Sequence, residues 1–183
     1  MSVGVIDQVK SWHNFTLDGV EYDLSHLDAH WVDYDFGTDR QYRVIVSYSF
    51  HCFAKEQDHH SESDKHHLMY HAPKESRPFH FERYELSKAL KRYIERLDQP
   101  EYAKSVGYVG YENYASIQVL HGDGLKSNYK IVFKVYRARK KLRLHVTSAY
   151  KQEEYERVNK VNFEVILKNV LVGKKPPKPR GMR

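Results

Sequence analysis

The chain has 183 residues, of which 14% are aromatic, and this content argues against disorder because large rings supply the burial that offsets chain entropy. Its 30 lysines and arginines outnumber 24 aspartates and glutamates, and residues 173–183 alone hold five cations and no acid. One cysteine, Cys52, excludes an internal disulfide. With no apolar run approaching the roughly 18 residues of a membrane span and no signal-peptide core, we expect a soluble cytoplasmic protein without membrane contact.

The first predicted elements are a short N-terminal extension and one long strand. Residues 1–40 form the extension, with a tight turn at Asp18-Gly19. Residues 43–53, RVIVSYSFHCF, alternate as a strand does, which places Ser47, Ser49 and His51 on the polar side and Cys52 on the apolar side. Residues 55–78 are polar and without periodicity, so we expect a long loop there.

A helix is predicted for Glu82–Leu97, between Pro78 and Pro100. Its buried stripe is formed by residues at helical spacing: Leu86, Leu90, Tyr93 and Leu97. The cations on its other side alternate with glutamates, so we expect a solvated face. Arg83 and Ser87 lie one turn apart near the helix start and are secondary candidates for binding a phosphate.

The second half of the chain is predicted to be mainly strands. Residues 106–120 hold one or two strands, and residues 121–124 form a turn. Residues 161–172 form a last strand, which is either a central strand or one that continues as a short helix. Residues 128–151 alternate as a β-hairpin with an apolar side. The polar side of the hairpin collects Lys134, Tyr136, Arg143, His145 and Thr147. This side suits a phosphodiester ligand, although an ordinary half-solvated hairpin explains it equally well.

This order of elements predicts one α+β domain over residues 1–172. Its sheet is mostly antiparallel, with one main helix packed on one face and the other face open. Residues 173–183 form a basic, proline-rich tail that we expect to be disordered. Such a tail adds salt-sensitive attraction to phosphates, but it serves equally as a solubilising segment or as one that a partner binds.

The polar sides of the two main strands suggest a reaction. If the strands are neighbours, Ser49 and His51 share the open face with the polar side of the hairpin. RNA cleavage without a metal needs a base, an acid and cations, and histidine suits both proton roles near neutral pH. A strand histidine is otherwise more often structural than catalytic.

Short segments of the chain resemble two groups of known proteins. The run KKLRLHVTSAYK at residues 140–151, after the strand KIVFKVYR, resembles the carboxy-terminal strands of the barnase–EndoU–colicin–RelE class of ribonuclease toxins. The segments SYSFHCFA and FERYELSKAL resemble uncharacterised bacterial proteins, some described as stationary-phase growth adaptation proteins.

The first resemblance implies a helix on an antiparallel sheet and metal-independent RNA cleavage. It points to Thr147 and Ser148 in the terminal strand, to Tyr150 or Lys151 for positioning a phosphate, and to His51 or His145 for moving protons. The glutamate base of a barnase-like site has no assigned counterpart here, so acid and base stay open.

Eight imidazoles and thiols fall between residues 51 and 80, yet their spacing fits no recognised zinc motif. We expect a pH-responsive loop rather than a metal site, no cofactor, and a packed rather than reactive Cys52. There is no Walker loop, GxGxxG, HExxH or GxSxG motif.

Three hypotheses of function result. The first is a toxin-type endoribonuclease, which would require a neutralising antitoxin or immunity protein because it harms its own cell. The second is a non-catalytic protein that binds RNA or DNA through the same basic face and tail. The third is a protein-interaction or stress-adaptation module whose contact surface is the histidine-rich loop.

Overall fold

A computed structural model describes residues 10–56, 60–122, 125–154 and 156–179, without the side chains of residues 121, 122, 125 and 126. The described strands are β1 (Phe15–Leu17), β2 (Val20–Tyr22), β3 (His30–Asp35), β4 (Gln41–Tyr48), β5 (Met69–His71), β6 (Ser76–Pro78), β7 (Val106–Gly110), β8 (Asn113–Gly122), β9 (Leu125–Ala138), β10 (Lys141–Gln152) and β11 (Asn159–Lys160). The described helices are α1 (Glu62–His67), α2 (Phe81–Ser87), α3 (Leu90–Ile94), α4 (Pro100–Ala103) and α5 (Phe163–Leu171).

The main sheet has the strand order β11-β7-β8-β9-β10-β4-β3. Neighbouring strands are antiparallel except β4 and β10, which run parallel from Val44 beside Leu142 to Tyr48 beside Val146. The predicted α+β class with a mostly antiparallel sheet is therefore confirmed. The single main helix is not, because the helical residues are divided among short segments.

One face of the sheet forms the core with the helices. Val44, Val46 and Leu144 alternate inward along β4 and β10 and are fully buried. Phe163 of α5 meets the Phe133 ring of β9 edge-on at 6.1 Å. Tyr34 of β3 donates a hydrogen bond of 2.7 Å to the Ile94 carbonyl of α3. These contacts fix which face of β3, β4, β9 and β10 is turned away from the core.

The predicted hairpin is confirmed as β9 and β10, and the predicted turn at Asp18-Gly19 joins β1 to β2. Two residues, Arg139 and Lys140, connect β9 to β10 with φ values of 49° and 63°. The register shifts between Val146 and Ser148, so Thr147 is the extra residue of a β-bulge. The predicted turn at 121–124 lies mostly outside the described residues.

The predicted strand 43–53 ends earlier than expected. β4 stops at Tyr48, and residues Phe50–Cys52 form a short 3-10 turn. The cause is Ser49, whose hydroxyl accepts a hydrogen bond of 3.3 Å from the His51 backbone N–H and caps this turn. His51 is therefore not a strand residue, and the prediction that it shares a strand side with Ser47 is wrong.

The predicted helix 82–97 is divided into α2 and α3. The Ser87 hydroxyl donates 2.6 Å back to the Tyr84 carbonyl, a bond that competes with the helical pattern. At the break, the backbone N–H groups of Lys88 and Ala89 donate to the carbonyls three residues earlier, those of Glu85 and Leu86. The predicted apolar stripe is still buried despite the break, since Leu90, Tyr93 and Leu97 are buried.

The segment predicted as a long loop, residues 55–78, contains α1, β5 and β6. Ser61 and Asp64 form a reciprocal capping box that starts α1. At the other end of the chain, the predicted last strand is the helix α5, started by a hydrogen bond of 3.2 Å from the Val165 N–H to the Asn162 side chain. Within the tail predicted to be disordered, the Pro177 carbonyl accepts a hydrogen bond of 2.8 Å from the Tyr114 hydroxyl.

The face opposite the core is covered over β7, β8 and part of β9. Val158 packs against Gly107, where an added Cβ would lie 2.5 Å from its side chain. Glu156 pairs with the buried Lys130 of β9. On the same face, Trp31 of β3 and Arg43 of β4 are exposed. None of the helices in the described part of the chain is long and apolar enough to cross a membrane.

Candidate functional site

The side chains opposite the core on β3, β4, β10 and the end of β9 form one surface, called here the basic face. Register places Trp31, Ile45, Arg143 and Tyr136 in one row, and Ser47, His145 and Lys134 in the next. Arg43 and Lys141 lie at the end of the face toward the β9–β10 turn. The structure thus brings together four sequence-predicted candidates: Lys134, Tyr136, Arg143 and His145.

Trp31 lies among the cations of this face and is 44% exposed. The guanidinium carbon of Arg43 is 5.0 Å from its ring centroid, and the Lys141 ammonium is 5.4 Å away. Such positions favour cation–π attraction. Trp31 was not among the residues predicted from the sequence, although the alternation of HWVDYD, in which Val32 and Tyr34 are buried, was an available signal.

The β9–β10 hairpin concentrates the positive charge of the chain. Residues 134–143, KVYRARKKLR, hold six cations and no acid. The net charge is +6 and the tail contributes five, so the rest of the chain without this segment carries −5. Arg139 and Lys140 also adopt a left-handed backbone that favours Asn-Gly and costs side-chain-bearing residues about 1 kcal/mol each. Their side chains add two cations to the hairpin at positions where turn propensity alone favours Asn-Gly.

His145 is less accessible than predicted. It is only 9% exposed, and its Nδ1 lies 2.9 Å from the Ser47 hydroxyl, a hydrogen bond whose direction depends on the imidazole tautomer. The prediction of a water-facing imidazole at this position is wrong. Ser47, rather than Ser49 or His51, is the β4 residue beside it.

Thr147 and Ser148 follow on the same strand. The Thr147 hydroxyl donates 3.2 Å to the Val132 carbonyl, so the bulge holds this side chain against its neighbouring strand. Ser148 lies opposite Val132 and Tyr150 opposite Lys130, which returns both to the side of Lys134.

A second group of predicted residues meets at the far end of β10, and we call it the Arg83 cluster: Arg83, His51, Tyr150, Lys151 and Glu82. Arg83 of α2 donates 2.6 Å to the His51 carbonyl, and its guanidinium carbon is 5.3 Å from the Tyr150 ring centroid. Lys151 and Glu82 are 3.7 Å apart. His51 and His145 therefore have different neighbours, and the two imidazoles do not share one site.

The electrostatics of this cluster follow from burial. Burial lowers the pKa of His51; Glu75, 3.8 Å away, opposes this effect, while Arg77 and Arg83 add to it. Burial also lowers the pKa of Arg83. At neutral pH the His51 imidazole is therefore mainly uncharged and able to accept a proton.

Ser87 does not join this cluster. It is fully buried, and its hydroxyl lies 2.7 Å from His26 Nε2. The predicted phosphate site of Arg83 with Ser87 at a helix start is therefore wrong, because Arg83 reaches β10 whereas Ser87 is sealed inside.

Cys52 is fully buried, and burial raises the pKa of its thiol to about 12. The prediction that it packs is confirmed. Histidines of the predicted loop have separate partners: His67 lies 3.2 Å from Asp18, and His71 2.9 Å from the Ser76 hydroxyl. Among the described residues, no three potential ligands are grouped to hold a metal ion. His59 lies outside the described residues.

Comparison with known proteins gives one consistent family. The model of the YjaZ family matches residues 14–171. Protein YjaZ of Escherichia coli strain K12 is 44% identical over 178 residues, covering 94% of this chain and 97% of the relative. No solved structure matches. These findings lend no support to the resemblance with ribonuclease toxins. The chain belongs to the YjaZ family.

Proposed function

We propose that this protein binds single-stranded nucleic acid, with RNA as the expected ligand, on the basic face. The observation that carries the proposal is the exposed Trp31 ring, held beside Arg43 and Lys141. Single-stranded ligands are bound by rings that stack on bases together with cations that attract phosphates. Bases inside a duplex are not free to stack in this way.

The surroundings of Trp31 fit an extended strand. Neither Lys134 nor Lys141 forms an ion pair with a described residue, so both charges are available to phosphates. From Lys141 to Tyr150, β10 spans about 30 Å at about 3.3 Å per residue. An ordinary solvated sheet face explains the cations alone, but it gives no reason for an exposed tryptophan between two of them.

Fluorescence anisotropy with a labelled uridine dodecamer tests the proposal. We expect Trp31→Ala to weaken binding about tenfold or more, since stacking contributes about 1–3 kcal/mol per base. Tyr111→Ala is the matched control, because Tyr111 is an exposed ring in the β7–β8 turn, outside the basic face. Affinity should also fall as salt rises. Absence of salt-dependent binding would contradict the proposal and favour a protein-interaction module.

Cleavage of the bound RNA is a second candidate, favoured by the lowered pKa of His51 next to Arg83 and Tyr150. A neutral imidazole takes a proton, and the guanidinium stabilises charge on phosphorus. The test is cleavage of the dodecamer in EDTA that His51→Gln abolishes without loss of binding. An intact dodecamer after long incubation would reject it. An active protein would imply a neutralising partner.

A further inference from the structure

The Arg83 cluster contains a half-buried cation without an acidic partner. Among the described residues no carboxylate lies within ion-pair distance of Arg83, although burial of a charge is costly unless it is paired. Two acids around the cluster are already engaged: Glu82 with Lys151 and Glu75 with Arg77. An anionic ligand would supply the missing partner.

The guanidinium is also held in place. One N–H group donates to the His51 carbonyl, and the guanidinium carbon lies over the Tyr150 ring. Its remaining N–H groups bind no described residue and are not sealed from solvent. A planar fork fixed in this way suits the paired oxygens of a phosphate.

The position of the cluster links it to the basic face. Tyr150 lies on the same side of the sheet as Lys134, at the end of β10 away from the β9–β10 turn. The other cations around Arg83 are paired with acids, Arg77 with Glu75 and Lys151 with Glu82, and these carboxylates would repel a strand that continued. A strand lying on the basic face would thus end here.

We propose that the Arg83 cluster binds the terminal phosphate of a nucleic-acid strand that lies on the basic face. Arg83 provides the paired donors, and the Tyr150 ring lies against its guanidinium. That the ligand is a nucleic-acid strand depends on the proposed function, whereas the phosphate site depends only on the contacts of Arg83.

Inorganic phosphate tests the site without nucleic acid. In protein labelled with ¹⁵N-arginine, we expect the Nε–H resonance of Arg83 to shift and saturate at millimolar phosphate. The matched control is Arg92 of α3, a guanidinium 5.2 Å from the Tyr93 ring centroid but exposed. Equal, non-saturating shifts at Arg83 and Arg92 would overturn the site.

Binding of the terminal phosphate of a strand is tested with three uridine dodecamers, which end in hydroxyl groups, in a 5′-phosphate or in a 3′-phosphate. We expect one phosphorylated end to bind about tenfold more tightly than the hydroxyl form, the size of one good charge-assisted contact. Arg83→Lys should remove this preference, whereas Arg92→Lys should keep it.

The outcomes separate the two proposals. Trp31-dependent binding with no preference for a phosphorylated end overturns the terminal site and leaves the basic face intact. Another outcome is a saturating phosphate shift at Arg83 in a protein that binds no dodecamer. This result would overturn both the binding of a nucleic-acid strand and the proposed function, and it would leave only an anion site at Arg83. Thermal unfolding of Arg83→Lys protein shows whether a lost preference reflects lost folding.

Discussion

His145 and Ser47 lie side by side on the parallel strands β10 and β4, with Nδ1 and Oγ 2.9 Å apart. This bond fixes a nearly buried imidazole at the centre of the basic face. The pair therefore stabilises the sheet, and the chemistry of the face depends on its exposed members.

Ser47→Ala should lower the free energy of unfolding by about 1 kcal/mol, because His145 loses a hydrogen-bond partner in a poorly hydrated place. Urea denaturation measures this change. Ser63→Ala, in the exposed part of α1, is the control and should change stability little. An unchanged midpoint in Ser47→Ala protein would show that the bond contributes nothing net.

Replacing Arg139-Lys140 by Asn-Gly should change stability and binding in opposite directions. Relief of two left-handed residues should raise the free energy of unfolding by about 1 kcal/mol or more. Loss of two cations should weaken dodecamer binding and reduce its salt dependence. Denaturation and anisotropy on one protein sample measure both effects.

The β7–β8 turn provides the matched control for this replacement. Tyr111 and Glu112 have φ values of 48° and 61°, close to those of Arg139 and Lys140. Tyr111-Glu112 replaced by Asn-Gly should therefore stabilise the protein in the same way without weakening binding. Equal loss of affinity in both turn variants would contradict a role for the hairpin charge.

Stability should fall as pH is lowered from 7.5 to 5.5. Burial is the largest cause that lowers the pKa of His26, His51 and His80 below the ordinary 6.5. The unfolded chain then binds protons first, so folding is opposed as pH drops through 6.5. Urea midpoints across this range measure the slope, and His26→Gln should flatten it. A flat profile in the unmodified protein would show that these imidazoles titrate as if exposed.

Cys52 should not react with a thiol reagent at pH 8 in the folded protein. Its side chain is fully buried, and the thiolate form is disfavoured because the pKa is raised to about 12. Rapid reaction should appear only in denaturant. Equal rates in both states would place the thiol at the surface.

The hairpin and the sheet class could be predicted because strand alternation is a local signal. Three predictions were wrong for another local reason: the end of the strand 43–53, the loop 55–78 and the last strand 161–172. In each of these segments a capping side chain, that of Ser49, Ser61 or Asn162, starts a helical turn that strand alternation does not reveal. Asn162 followed by Phe163, Ile166, Leu167 and Val170 was a readable helix signal. The division between α2 and α3 depends on Ser87 bonding to Tyr84, and its burial beside His26 is not readable locally.

The candidate site was only half predictable for a different reason. Lys134, Arg143 and His145 share a face by strand period alone. The parallel pairing of β4 with β10 and the approach of Arg83 to Tyr150 join segments distant in sequence, so no local pattern reveals them. The burial of His145 depends on the same distant packing.

Trp31 gives the most direct test of the basic face. In protein labelled with 5-fluorotryptophan, ¹⁹F spectra report Trp31 separately from the buried Trp12, with Trp31→Phe providing the assignment. Titration with the uridine dodecamer should shift the Trp31 resonance to saturation, leave Trp12 unchanged, and lose its effect at high salt. A Trp31 resonance that does not move while the dodecamer binds would contradict the account.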